Sequence, residues 1–326
     1  MELARRKFLH LVAGAVAVPA VSRVATAQTY PTRPITMIVP YAAGGPSDVI
    51  AHVIAQLMTG SLGQPITIEN ASGANGSIGA TRAARANPDG YTLSLGSNST
   101  HALNGAFYSL SYDVLNDFAP VSPLVTASLV LFAREALPPR DLAELVAWLK
   151  DNPNKALAGF DATTVHVLFA FFQKETGTQL TLVPYGGGAL AAQDLVAGQI
   201  DLFLGAPNWI SLMRAGNIKA YAATSDTRLP IAPDIPTFAE MGLPALSFSA
   251  WLGLFVPKGT SRDIISKLNA AAVEALADPT VRTRLIDLGF EIFPRERQTS
   301  EALAALQRAD AAKWWPLIKE FGIKAE

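Results

Sequence analysis

What most constrains this chain is a pattern that recurs along it: a short apolar run, a turn of small residues, then apolar residues at helical spacing. It is clearest over residues 35–56. Ile35, Met37, Ile38 and Val39 stop at Pro40, Ala42-Ala43-Gly44-Gly45 follow, and Val49, Ile50, Val53, Ile54 and Leu57 recur on one helical face. Pro46 suits the first helical position, and Gly44 and Gly45 let backbone N–H groups come close to a neighbour. The free N–H groups and positive dipole end of such a helix favour an anion. Taken alone, the turn reads first as an ordinary strand-to-helix connection.

The pattern returns. The run at 65–69 leads into Asn70-Ala71-Ser72-Gly73-Ala74-Asn75-Gly76-Ser77-Ile78-Gly79 and an Ala/Arg-rich helix, which Asn87-Pro88-Asp89-Gly90 ends as a turn. The run at 91–95 leads into Gly96-Ser97-Asn98-Ser99-Thr100-His101, with hydroxyl and amide side chains at helix-capping positions. Ala156 to Gly159 precede Phe160-Asp161-Ala162-Thr163-Thr164 and an apolar helix, and Leu180 to Pro184 precede Tyr185-Gly186-Gly187-Gly188 and another helix. Parallel strands need helical crossovers and place such turns along one edge, so the expectation is an α/β architecture of mostly parallel, doubly wound sheets. Two long strand-like runs, 121–133 and 247–257, suit connections between two domains. Helices are expected at 262–276, after Asp278-Pro279 and over 298–321, the last carrying Trp314 and Trp315 as packing residues.

With 326 residues, 50% hydrophobic and 16% charged, the chain can bury one large core or two ordinary ones. The formal net charge of −1 includes a basic leader, leaving nothing that favours nucleic acid. Cysteine is absent, so disulfides, thiolate metal sites and Cys nucleophiles are excluded together. Arg5-Arg6-Lys7, the apolar segment 8–21 and Ala25-Thr26-Ala27 form an expected signal peptide over 1–27, with the exported chain starting at Gln28 in the periplasm. The Arg pair resembles a twin-arginine (Tat) signal, with the general secretory (Sec) route as the alternative. Catalytic motifs are missing: His52, His101 and His166 show no metal-ligand pairing, and neither a phosphate loop, a dinucleotide fingerprint nor a nucleophile elbow occurs. No cofactor or metal is expected.

Seven segments in order carry a family resemblance: P-Y-A-A-G-G-P-S-D at 40–48, the loop 70–79, G-S-N-S-T-H-A-L-N at 96–104, Y-G-G-G-A-L-A-A-Q-D-L-V-A-G-Q-I-D at 185–201, A-G-N-I-K-A-Y-A-A-T at 215–224, D-I-P-T-F-A-E-M-G at 234–242 and W-L-G-L-F-V-P-K-G-T at 251–260. Over essentially the whole exported chain they resemble the solute receptors of tripartite tricarboxylate transporters, the Bug-type periplasmic binding proteins. The resemblance implies a two-domain clamshell crossed twice by the chain, with domain one at 28–124 plus 251–326 and domain two at 125–250. It implies a small organic carboxylate as ligand, the membrane subunits of a tripartite tricarboxylate-type transporter as partner, and a receptor, expected to be monomeric, rather than an enzyme. The competing class is an exported isomerase or lyase using His101 or Asp161 as acid or base.

The expected site takes Tyr41, Gly44, Gly45, Ser47, Asp48, Ala74, Asn75, Gly76, Ser97, Asn98 and Thr100 from domain one, and Phe160, Asp161, Thr163, Thr164, Tyr185 and Gly186 from domain two. Structural alternatives stand beside these: charge compensation at a helix start for Asp48, an N-cap for Thr163, packing for Tyr41. Phe160-Asp161 departs from the family's Gly/Ser-rich turn. An acid there repels a second ligand carboxylate, so the expected ligand is a monocarboxylate with an aromatic or apolar body, facing Phe160 and Tyr41, with Asp161 free for a hydroxyl or ammonium. The alternative is that Asp161 caps a helix and Phe160 packs in its domain. If export follows the twin-arginine route, replacing Arg5 and Arg6 by Lys blocks appearance of the processed chain in a periplasmic fraction; unchanged export assigns the general secretory route.

Overall fold

A computed structural model describes residues 30–320 and 322; the leader and its cleavage site lie outside the described residues. The elements run β1 (Ile35–Val39), α1 (Pro46–Leu62), β2 (Ile66–Asn70), α2 (Ser77–Ala84), β3 (Thr92–Ser97), α3 (Asn104–Phe107), β4 (Phe118–Ala127), β5 (Val130–Arg134), α4 (Leu142–Asp151), β6 (Leu157–Phe160) and α5 (Thr163–Thr176). They continue β7 (Thr181–Pro184), α6 (Gly188–Val196), β8 (Leu202–Gly205), α7 (Ile210–Arg214), β9 (Ile218–Ala223), β10 (Ala250–Pro257), α8 (Arg262–Ala277), α9 (Pro279–Asp287), β11 (Glu291–Ile292) and α10 (Ser300–Glu320). Each of the expected strand, turn, helix units forms. The first is typical: Gly45 is extended, Pro46 opens α1, and Gly63 in the left-handed region (φ 69°) closes it with its N–H donated to the Thr59 carbonyl.

The strands make two sheets, ordered β11-β4-β10-β3-β1-β2 and β7-β6-β8-β5-β9. Four neighbouring pairs are parallel: β2 and β3 flank β1 in the first sheet, and β7 and β8 flank β6 in the second. The remaining pairs are antiparallel. The sheets are therefore mixed rather than mostly parallel, because a strand that arrives from the other sheet is not held to the parallel direction by a crossover helix. Helices cover both faces of the first sheet. Ile35, Met37 and Val39 pack with Ile50, Ile54, Met58, Leu268 and Ala272 on one side, while Ile38 points to the other, among Ala80, Ala83, Phe255 and Leu303. This is why β1 reads as a continuous apolar run.

The chain passes from the first sheet to the second between β4 and β5, and returns between β9 and β10. β4 remains paired in the first sheet as far as Ala127, opposite Ala250, so the strand pairing extends past residue 124, where domain one was expected to end. Thr224 ties the two connections together. Its Oγ1 accepts from Leu129 N (2.8 Å) and donates to the Phe248 carbonyl (2.7 Å), while its own N–H donates to the Leu129 carbonyl and its carbonyl accepts from Phe248 N, both at 2.8 Å.

A second contact between the two halves lies along α10. Trp314 is buried edge-on to Phe171 of α5 (5.8 Å between ring centres) and to Phe248 (5.5 Å), within one apolar cluster that also takes Ala102, Leu103 and Phe107 from the first half. Trp314→Ala removes that bridge and is expected to cost about 3–5 kcal/mol of stability, read as a lower midpoint in urea unfolding; a change within about 0.5 kcal/mol would show that the contact is dispensable.

Candidate functional site

The turns that follow β1, β3, β6 and β8 meet around one cavity of about 110 Å³ between the sheets, at the carboxyl ends of the strands, where open α/β sheets place their ligands. Its volume is below the roughly 300–1,000 Å³ of pockets for drug-sized ligands, which points to a small molecule. Val125, Ala127 and Leu129 of the first connection and Ala250, Trp251 and Leu252 of the second complete the lining.

The first half supplies hydrogen-bond donors. Gly45, Pro46 and Ser47, the start of α1, line the cavity, and no side chain caps that helix. Beside it Tyr41 Oη and Ser97 Oγ lie 2.9 Å apart, and burial holds the Tyr41 phenol well above its ordinary pKa, so it stays neutral. Asn98 is 2% exposed, lines the cavity, and its Nδ2 has no partner among the described residues. A buried amide donor left unpaired costs free energy unless a ligand or water accepts from it.

The second half supplies a carboxyl and apolar walls. Asp161, half-buried, lines the cavity with Ala162, Val165, Phe203 and Trp209. Its carboxylate stands beside its own backbone N–H and that of Gly188, the first residue of α6, and both stabilise its charged form, so a chain carboxyl stands at that helix start. A Cβ at Gly188 would stand 3.0 Å from Asp161 Oδ2, and one at Gly187 would stand 3.0 Å from Ala42 N; the glycine run is needed for these two approaches. Ala42 N also donates to the Gly186 carbonyl at 3.0 Å, joining the first turn of the chain to this one. Burial outweighs the two backbone bonds and pushes the Asp161 pKa up from 3.8 to about 6. The Trp209 indole N–H is buried without a partner among the described residues.

The expected site residues divide. Tyr41, Gly45, Ser47, Ser97, Asn98, Asp161 and Thr164 line the cavity. Asp48 does not. Its Oδ2 accepts from Gly44 N (2.9 Å) and its Oδ1 from Asn70 Nδ2 (2.9 Å), with the exposed His52 3.6 Å away, so it holds the turn shut. Thr100 is turned inward, with its Oγ1 accepting from Ser97 N at 3.0 Å. Thr163 donates to Asn104 Oδ1 at 2.5 Å, and Thr164 N donates to Ser99 Oγ at 3.1 Å, so the start of α5 binds the opposite half of the protein. Gly76 approaches Pro40 and Thr100 too closely for any side chain. Ala74, Asn75, Phe160, Tyr185 and Gly186 line a separate opening, beside Phe107, Tyr108 and His166. Phe160 packs at 4.6 Å from the His166 ring, inside its own half, and does not line the cavity with Asp161. The apolar wall expected of it comes instead from Phe203 and Trp209.

Sequence reading passed over Ser99, Phe203, Gly205, Ala206 and Trp209 as site residues. Gly205-Ala206-Pro207 is another small-residue turn after an apolar run, and its recurrence was the available signal. His101 is fully buried, stacked on Phe255 at 4.1 Å, and burial pulls its pKa down to about 3; it does not line the cavity. It cannot hold a proton for acid catalysis near neutral pH. Among the described residues no group of His, Asp or Glu side chains converges as a metal site.

Because the folded Asp161 titrates above its unfolded value, its contribution to stability is complete below about pH 3.8 and lost as pH rises through about 6. Asp161→Asn is therefore expected to raise the melting temperature of the ligand-free protein at pH 7.5, with the gain fading toward pH 4. A pH-independent difference would refute this account.

Comparison with known proteins agrees with this geometry. Residues 50–323 match the family model described as tripartite tricarboxylate transporter family receptor. The chain is 36% identical to BugT of Bordetella pertussis over 315 residues, 95% of each chain. It is similar to the solved periplasmic binding protein BugD (TM-score 0.87, 34% identity, covering 91% of this chain and 100% of that one). It is also similar to MatC of Rhodopseudomonas palustris with bound malate (TM-score 0.86, 37% identity, covering 89% of this chain and 100% of that one). A recurrent strand, turn, helix chain with an uncapped helix start at an interdomain cavity is thus a Bug-type member of the tripartite tricarboxylate transporter receptor family.

Proposed function

We propose that this protein is an exported, periplasmic receptor that captures a small organic carboxylate in the cavity between its two domains and delivers it to the membrane subunits of a tripartite tricarboxylate-type transporter, without transforming it. The domains divide at the two connections tied by Thr224. One observation carries the reading: the uncapped start of α1, the unpartnered Asn98 amide and the Tyr41 and Ser97 hydroxyls face one small cavity. Helix-start N–H groups and a side-chain amide are the donors that take a carboxylate without a cation. The malate bound by a relative of 37% identity supports the same ligand class.

A ligand that touches both halves favours the closed arrangement by its differential affinity for it, and the closed surface is what a membrane partner would read. Catalysis is disfavoured by the sealed, neutral His101 and by a cavity lining in which the titratable side chain beside Asp161, Tyr41, is kept neutral by burial. Isothermal titration with a panel of carboxylates is expected to give saturable heats without turnover. Asn98→Ala should weaken binding by about 1.5–3 kcal/mol, roughly 10- to 100-fold. Absence of binding by every carboxylate, or conversion of one of them, would overturn the proposal.

A further inference from the structure

The cavity has a polarity that the carboxylate reading leaves unused. Asp161 is the one charged side chain in its lining, and no Lys, Arg or His is present there to neutralise it. Asp201, of similar burial, is by contrast paired: it lies 2.6 Å from Arg134 Nε and also accepts from Leu157 N. Asp161 has two backbone N–H groups and no cation among the described residues. Its Oδ2 and the Phe203 ring edge meet around Gly188, where an added Cβ would stand 3.0 Å from one and 3.4 Å from the other; Trp209 lines the same wall. A half-buried carboxylate beside aromatic rings is an environment that favours a cation. The donors at the α1 start and Asn98 belong to the other half of the protein, and the two halves meet at Gly188, where an added Cβ would also stand 3.7 Å from the Pro46 ring, so donors and acid face one small cavity from opposite halves.

A dicarboxylate placed across it would set its second charge against a carboxylate in a wall without cations. A zwitterion meets complementary charge at both ends. We infer that the ligand is an amino-bearing monocarboxylate, held by its carboxylate at the α1 start and by its ammonium at Asp161. This rests on the carboxylate-receptor reading and narrows it, in a direction different from the malate held by the relative above.

The test is a matched series, titrated calorimetrically into the full chain at pH 7.5, in which only the far end changes: 4-aminobutanoate, succinate and butanoate on one frame, and 4-(aminomethyl)benzoate, terephthalate and 4-methylbenzoate on a second, with malate added. On at least one frame the amino member should bind at least tenfold more tightly than its dicarboxylate and its methyl counterpart, and more tightly than malate. In Asp161→Asn, which keeps an acceptor for the Gly188 N–H, the amino member should lose at least tenfold and the dicarboxylate should gain. Tighter binding of the dicarboxylates or malate by the native chain, equal binding across a frame, or a preference unchanged in the variant would overturn the inference while leaving a carboxylate receptor. Binding of no member would instead remove the carboxylate reading and this inference with it.

Discussion

Everything about the cavity depends on how the two sheets are held, and that rests on two connections running side by side and fastened at Thr224. The threonine hydroxyl bonds one connection at Leu129 and the other at Phe248, and its backbone repeats both links. Thr224 is buried, so these bonds form away from competing water, where leaving a partner unmade is costly. Just beyond them Thr126 Oγ1 donates to the Ala250 carbonyl at 2.8 Å, and β4 and β10 begin their antiparallel pairing. The same segments form part of the cavity lining, so the element that joins the halves also contacts whatever lies between them.

Of the helix starts that look alike in sequence, most are used by the protein itself. The start of α6 is filled by Asp161, that of α5 binds Ser99, and Ser77 at the start of α2 accepts from Asn104 Nδ2 at 2.9 Å. These uses lock turns against turns and bring the halves together. The start of α1 is left without a side-chain cap and opens on the cavity. One free helix start contributes about 0.3–1 kcal/mol when exposed and up to about 2 when partly buried, so the Asn98 amide and the hydroxyls beside it must share the work of holding an anion. The acid on the facing wall then determines which anions are tolerated.

Strand and helix positions were legible because they depend on local chemistry. Apolar period, Pro46 at a helix start and Gly63 beyond a helix end act through neighbours a few residues away. The family was legible for a related reason: the turns recur in a fixed order, and each turn's residue types are set by its backbone. The missing catalytic motifs were equally readable. What sequence could not decide was which way a named side chain faces. Asp48 looked like a ligand group and proved to be the clasp of its own turn, while Phe160 and Asp161, adjacent in the chain, serve a core and a cavity respectively.

The sequence by itself thus determined the repeating units, the receptor family and the small polar turns from which a site is built. Only the tertiary structure decided which of those turns opens on the cavity, that Asp161 seals the start of α6, that Phe203 and Trp209 supply the apolar wall, and that the sheets are mixed. The reason is that helix and turn formation depend on contacts a few residues apart. The facing of a turn and the partner of a buried carboxyl depend on strand pairings and close approaches between distant segments, such as Gly187 against Ala42, which no local period encodes.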